Sequence, residues 1–299
     1  MDKNSESRIA VIGGDGMLGS ALFKFLKKEG KEVFATTRRS KIKRNKFFLD
    51  FSVKDSWSNV LDATDACIVG GIVDYMECKT NPEASYINEE CIPELILFLT
   101  KNDIRVTYIS SNTVFGGEQP WPDENAPHFP GLDYGLQKSN AESNILSLVD
   151  SSRKKSLIKI VRLTKILTKN TSPIPLWIKS WEKQKTISAF KDLIFAPITI
   201  EFAVNCLANI LNSKEPGSYH ISGTEDVDYV HFAKKLLESL EYPSSLVKQT
   251  TSKEVGIEIP FLPTYSGLGM TNTAKVFGIK SQDLDDVIKY LSSEISRSK

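Results

Sequence analysis

The segment Ile12-Gly-Gly-Asp-Gly-Met-Leu-Gly19 constrains this chain more than any other. It follows a short apolar run, Arg8 to Ile12, and opens an amphipathic helical pattern from Met17 to Lys28 that stops near Gly30. Gly14, Gly16 and Gly19 satisfy G-x-G-x-x-G, and Gly13, Gly16 and Gly19 satisfy the wider G-x-x-G-x-x-G. Glycines at these spacings let a strand turn sharply into a helix and let backbone approach a diphosphate. The helix N-terminus then offers unpaired N–H groups and a positive dipole end. A glycine-rich turn that only connects two elements can share the spacing. The order strand, glycines, helix is what favours a nucleotide site.

The rest of the first half repeats the alternation. Glu32–Thr37, Phe47–Phe51, Asp65–Gly70, Val106–Ser111 and Leu157–Leu163 read as strands. Helical patterns cover 82 to 102, with Pro93 as a bend, and 133 to 149. Strands separated by helices require right-handed crossovers and a parallel sheet. The predicted fold class is α/β: a Rossmann-type, doubly wound parallel sheet with a smaller C-terminal α+β substrate lobe. Its division is a dinucleotide-binding part, 1–168, and a substrate lobe, 169–299, with some segments at about 186–212 returning to the large sheet. In that lobe Thr186–Phe190 and Ser218–Ser222 read as strands, and 200–211, 229–240 and 284–295 as helices.

In such a sheet the residue ending the second strand reads the adenosine ribose. Here the strand ends Ala35-Thr-Thr-Arg-Arg39, with no carboxylate for a 2′-hydroxyl. Arg38 and Arg39 can fork onto a 2′-phosphate, so NADP is favoured over NAD. They open a basic run continued by Lys41, Lys43, Arg44 and Lys46, a pattern that surface exposure alone also produces. Asp50, ending the third strand, can accept from the adenine amino group or cap the segment that follows.

Tyr134 and Lys138 stand four apart at the start of a predicted helix, which places them on one face. An ammonium near a phenol stabilises the phenolate, so the tyrosine can exchange a proton while a hydride moves. The lysine can also hold the nicotinamide ribose. The spacing alone is commonplace; its context is what matters. Ser110 and Ser111 end the fifth strand at the carboxyl edge of the sheet, where ligands bind. Strand alternation predicts that one serine faces the cleft and the other faces away. A turn or cap role is the plain alternative for either.

Composition removes several classes. With 38 Lys and Arg against 37 Asp and Glu, no global field favours nucleic acid or a membrane surface. The four cysteines and three histidines form no metal-binding spacing. No signal peptide and no apolar run of membrane-spanning length are evident, so a cytoplasmic protein with reduced thiols is expected. A homodimer is compatible with the sequence, which does not specify it. Trp121, Trp177 and Trp181 can stack on a sugar or base, or pack.

Taken in chain order, these pieces resemble a short-chain dehydrogenase/reductase of the extended type, most closely the dTDP-4-dehydrorhamnose reductase family. The resemblance rests on Gly13-Gly-Asp-Gly-Met-Leu-Gly19, Val73-Asp-Tyr-Met-Glu77 with Asn88, Ile109-Ser-Ser-Asn-Thr-Val-Phe-Gly116, Asp123-Glu-Asn-Ala-Pro127, Tyr134-Gly-Leu-Gln-Lys138 and Arg162. Asp192, Ala196-Pro-Ile-Thr199 and Gly217-Ser-Tyr-His-Ile-Ser-Gly223 extend it. It implies a catalytic Ser111, a proton donor Tyr134 and its partner Lys138. It implies Gly13, Gly16, Met17 and Leu18 along the diphosphate, with Arg38, Arg39, Asp50, Phe51, Gly70, Gly71, Tyr134 and Lys138 as the other cofactor contacts. The loop 116–132 and the later lobe would hold a nucleotide-linked sugar whose keto group NADPH reduces. Departures fall in the substrate parts: Gly70-Gly-Ile72 for Asn-Ala-Ala, Asn112-Thr113 for Asp-Tyr, Arg162-Leu-Thr-Lys165 for Arg-Thr-Ser-Trp, and Pro263-Thr-Tyr-Ser266 for Arg-Pro-x-Asn. Asn112-Thr113 lacks the acidic pair of the related dehydratases. An epimerase and a non-catalytic, NADP-binding regulatory subunit are the other readings.

Overall fold

A computed structural model describes residues 7–39, 46–259 and 261–297. Lys41, Lys43 and Arg44 of the basic run lie outside the described residues. Six strands form the body of one parallel sheet: β1 (Arg8–Ile12), β2 (Glu32–Thr37), β3 (Lys46–Phe48), β4 (Asp65–Ile68), β5 (Arg105–Ser111) and β6 (Ile158–Leu163). The strand Gly217–Ile221 adds itself outside β6, giving the spatial order Gly217–Ile221, β6, β5, β4, β1, β2, β3. The strands are apolar on both faces because both faces are covered.

Side-chain alternation divides β1 between the two faces. Ala10 and Ile12 pack with Ile92, Leu95 and Ile96 of the helix Ile92–Lys101, and with Ala141, Ile145 and Val149 of the helix Asp133–Ser151. Ile9 and Val11 pack on the opposite side with Leu18, Leu22 and Leu26 of α1 (Met17–Lys28), and with Val204, Leu207 and Leu211 of the helix Ile200–Asn212. Within 186–212, Ile187–Phe190 pairs with Val247–Thr250 outside the central sheet. A third core, built on Trp177, Trp181, Phe195, Phe232 and Leu291, fills the C-terminal lobe. Trp177 and Trp181 are therefore packing residues. Among the described residues no helix is long and apolar enough to cross a membrane.

Two elements differ from the sequence expectation. The third strand is Lys46–Phe48 rather than Phe47–Phe51, because Asp50 begins a turn that accepts from Ser52 N and Oγ at 3.0 and 2.8 Å. The helix expected over 82–102 is three pieces: a short helix Pro82–Ser85, a π-helical turn Tyr86–Cys91 and the helix Ile92–Lys101. Pro93 has no N–H for the carbonyl of Glu89, four residues back. The side chain of Asn144 supplies the missing donor at 2.8 Å. The widened turn carries Asn88, fully buried, whose amide bonds Ile72 N and O at 3.0 and 2.9 Å and Gln137 Oε1 at 2.8 Å.

A buried polar cluster locks the helix Asp133–Ser151 to the sheet. Arg162 of β6 donates to both Glu142 oxygens, from Nε at 3.0 and 3.1 Å and from Nη2 at 2.6 Å. Its Nη1 donates to the carbonyl of Glu124 at 3.1 Å and meets His220 Nε2 at 3.1 Å. His220 Nδ1 lies 2.7 Å from the carbonyl of Gly269. Burial, then the Arg162 guanidinium, hold this imidazole well below its ordinary pKa, so it accepts from Arg162 as the neutral tautomer. Removing the guanidinium strands a carboxylate in the interior. The Arg162→Met variant should lose about 3–5 kcal/mol of unfolding free energy in urea titrations, and adding Glu142→Leu should recover part of that loss.

Candidate active site

The strand order reverses at β1, whose neighbours are β2 on one side and β4 on the other. Crevices for ligands open beyond the carboxyl ends of strands at such a point. Here the crevice is a cleft of about 1030 Å³. Gly13, Gly16, Met17, Leu18, Arg38, Arg39, Asp50, Phe51, Gly70, Gly71, Ser111, Tyr134 and Lys138 all border it. The structure thus brings every site residue expected from the sequence around one opening.

At its base the glycine turn passes under α1. Gly19 touches the turn so closely that a Cβ would sit 2.3 Å from the carbonyl oxygen of Gly13, so no other residue fits there. Gly16 caps α1 without any side-chain hydrogen bond, which leaves first-turn N–H groups for a ligand anion. Gly70 and Gly71 explain one departure from the family pattern. A Cβ at Gly70 would meet the Phe51 ring at 2.6 Å. Gly71 has φ +127° and faces the Asn88 amide, 2.9 Å from where a Cβ would stand.

At the end of the cleft beyond β2, Arg38 and Arg39 are exposed. Sequence reasoning passed over Asp15, whose carboxylate accepts from Thr37 Oγ1 and Lys46 Nζ, both at 2.5 Å, and lies 3.9 Å from Arg39 Nε. Burial works to raise its pKa, but hydrogen bonds from Lys46 and Thr37 and the charges of Lys46 and Arg39 outweigh it and hold the carboxyl below its usual range. The signal was available: one acid among the glycines, and a lysine at the end of a basic run.

At the other end β5 stops at Ser111, which caps a single 3-10 turn, Asn112–Val114. Both Ser110 and Ser111 border the cleft. Ser111 Oγ accepts from Thr113 N at 3.2 Å and Thr113 Oγ1 at 3.0 Å. Asn112 is tied by Nδ2 to Ser266 O and Oγ, at 2.9 and 3.0 Å. The residues that replace the family's Asp-Tyr therefore fix the serine and anchor the C-terminal segment.

Tyr134 and Lys138 lie in the first turns of the helix Asp133–Ser151. Burial pushes the Tyr134 phenol up to about 12, against a hydrogen bond with Ser111 that lowers it. Burial pushes Lys138 down to about 8, against the charge of Glu142. The Lys138 ammonium stands 6.0 Å from the centroid of the Tyr134 ring. It donates to Tyr108 Oη at 3.0 Å and to the carbonyl of Ile109 at 3.1 Å. Tyr108 is a second residue that sequence reasoning missed; a strand aromatic gives no hint that its hydroxyl meets an ammonium.

The cleft suits a dinucleotide. It has a glycine cradle, an uncapped helix N-terminus, and two buried hydroxyls on its wall, Ser110 Oγ and Thr164 Oγ1, that find no hydrogen-bond partner among the described residues. Buried hydroxyls of that kind call for a ligand or water.

The family model described as RmlD substrate binding domain matches residues 7–296. The chain belongs to this family. Among curated proteins it is 26% identical over 267 residues to the spore coat polysaccharide biosynthesis protein SpsK of Bacillus subtilis, covering 88% of this chain and 89% of that one. Among solved structures it is similar to a dTDP-4-dehydrorhamnose reductase of Bacillus anthracis in complex with NADP. That match has 20% identity and a TM-score of 0.82, over 97% of this chain and 99% of the other. It is also similar to MoeE5 in complex with UDP-glucose and NAD, at 16% identity and a TM-score of 0.79, over 98% and 99%.

In this RmlD-family cleft, the buried ammonium gives a pH test. Lys138 in the folded chain holds its proton less tightly than the unfolded lysine at 10.5, so the unfolded state binds more protons between about 8 and 10.5. The penalty for burying it is present at neutral pH and disappears as pH rises through that window. A Lys138→Met variant should lack this contribution, on the order of 3 kcal/mol, to the wild type's gain in stability from pH 7 to pH 10. Urea midpoints at the two pH values measure it.

Proposed function

We propose that the protein is an NADPH-dependent reductase of a keto group on a nucleotide-linked sugar. The observation that carries this is the meeting, in one cleft, of a glycine-cradled helix N-terminus and a Ser111–Tyr134–Lys138 set. The names of the similar proteins support it: one is a dTDP-4-dehydrorhamnose reductase with NADP, another is seen with UDP-glucose and NAD.

When bound, the nicotinamide supplies the hydride. Thr113 occupies the acceptor side of Ser111 Oγ, and the serine's own proton, which rests on Asn112 Oδ1 at 3.4 Å, can turn to a substrate carbonyl. Tyr134, with its phenol at about 12, keeps its proton across the neutral range and stays loaded as the acid. It hands that proton to the oxygen as negative charge develops there. Lys138 sits beside the phenol, and its ammonium favours the phenolate left behind. Ser111 and Lys138 thus act on opposite sides of one proton transfer.

NADP is our choice over NAD because Arg38 and Arg39 border the cleft just past the end of β2, which carries no carboxylate, and Lys46 adds a third cation through its contact with Asp15. Asp15 already draws on two of these cations, so Arg38 carries the greatest share of free charge. The loop 116–132 and the lobe beyond 169 are where the sugar nucleotide would lie. The four cysteines, all buried and unpaired, accord with a cytoplasmic setting.

Tyr134→Phe should lower kcat for reduction of dTDP-4-dehydrorhamnose by at least about a hundredfold while leaving NADPH binding within about twofold. Retained turnover would take Tyr134 out of the mechanism. The double variant Arg38→Ala, Arg39→Ala should weaken NADPH by about tenfold or more and NADH much less, read from fluorescence titration. Equal losses for the two cofactors would show that the arginines do not read a 2′-phosphate.

A further inference from the structure

We propose that Lys165 forms an oxyanion subsite in the cleft, so that the ligand carries a negative group within about one sugar ring of the reacting carbonyl. The proposal rests on the reductase reading for the place of that carbonyl, between Ser111 and Tyr134.

The position comes from the sheet. Ser111 pairs in register with Leu163 of β6. Lys165 lies two residues further, about 7 Å along an extended chain. It opens β7 (Lys165–Leu167), which is held in place by parallel pairing of Lys165 with Pro197. The side chain is half-buried and borders the same cleft as Ser111, Tyr134 and Lys138.

The ammonium is fixed by rings rather than by oxygen. It stands 5.5 Å from the centroid of Tyr229 and 5.8 Å from that of Phe195. These two rings are themselves packed together, with centroids 4.5 Å apart, so they form a rigid floor. Among the described residues no carboxylate pairs with Lys165 and no oxygen accepts from it. The other lysine on the cleft wall, Lys138, is occupied by Tyr108 and the carbonyl of Ile109. Ring faces satisfy charge but not the three N–H donors of an ammonium. A cation stripped of water on one side and lacking an oxygen partner is a strong place for an anion. The charge is suited either to a phosphate that links the sugar to its nucleotide or to a carboxylate on the sugar itself.

The test uses the full chain saturated with NADP⁺, so that anions cannot occupy the glycine turn. Calorimetry measures binding of inorganic pyrophosphate and of glucuronate to the wild type and to Lys165→Met, which keeps the aliphatic stem over the rings. Lys165→Gln serves as the second variant. An unchanged NADP⁺-induced rise in Tm certifies the fold of each. The expected result is that wild type binds at least one of the two anions and that both variants weaken it about tenfold or more. Loss confined to pyrophosphate identifies the phosphate source, and loss confined to glucuronate the carboxylate source. Equal affinity in wild type and variants, or no binding of either anion to the wild type, overturns the subsite. Failure of the reductase reading is separate: anion binding that depends on Lys165, with no turnover of any keto sugar, keeps the subsite and removes the reductase.

Discussion

The Arg162–Glu142 pair is the joint on which the site's geometry depends. Glu142 is one turn beyond Lys138 on the same helix, and Arg162 is the penultimate residue of β6. The pair therefore sets the angle at which the helix carrying Tyr134 and Lys138 meets the carboxyl edge of the sheet. The same guanidinium reaches the Glu124 carbonyl in the loop 116–132 and His220 in the outermost strand. The Glu124 carboxylate in turn accepts from Asn272 N at 3.1 Å, from Thr273 N at 2.9 Å and from Thr273 Oγ1 at 2.9 Å. One buried charge thus ties four separate stretches of chain together, and the directional bonds admit few alternative arrangements. An apolar replacement could match its volume but not its geometry.

Much of this architecture was legible in the sequence because it follows from periodicity. β1, β2, β4, β5 and β6 and the helices that cover them announce themselves through continuous apolar runs and helical spacing. The glycine turn was legible because its spacing is a steric requirement. The third strand was overextended for a physical reason: Leu49 and Phe51 are as apolar as Phe47 and Phe48, but they are buried from a turn against Trp57 and Gly70. The break before Ile92 was signalled only by Pro93. Its shape depends on Asn144, half a hundred residues away in the chain, which no local pattern shows.

The candidate site divides the same way. Its residue types were readable from motif spacing, and they stand around one cleft. What motif spacing does not carry is the set of partners that decide protonation and orientation. Thr113 on Ser111, Tyr108 on Lys138 and Lys46 on Asp15 are tertiary contacts, made by residues whose types are equally at home in a turn, a core strand and a solvated edge.

Those partners also decide how Lys138 uses its protons. A buried ammonium must place its three protons on acceptors or lose charge. Lys138 places two on protein oxygens, Tyr108 Oη and the carbonyl of Ile109, both supplied by β5. Those bonds fix the nitrogen at the wall of the cleft, and the third proton is left for whatever the cleft holds. Burial lowers Lys138 and raises Tyr134, so each group alone is pushed toward its neutral form. A phenolate in this corner is therefore favoured by the ammonium beside it, which is the arrangement a departing phenolic proton creates. At neutral pH Lys138, at about 8, is thus already an ammonium beside a protonated Tyr134, at about 12, and loss of the phenolic proton completes the ionic pair.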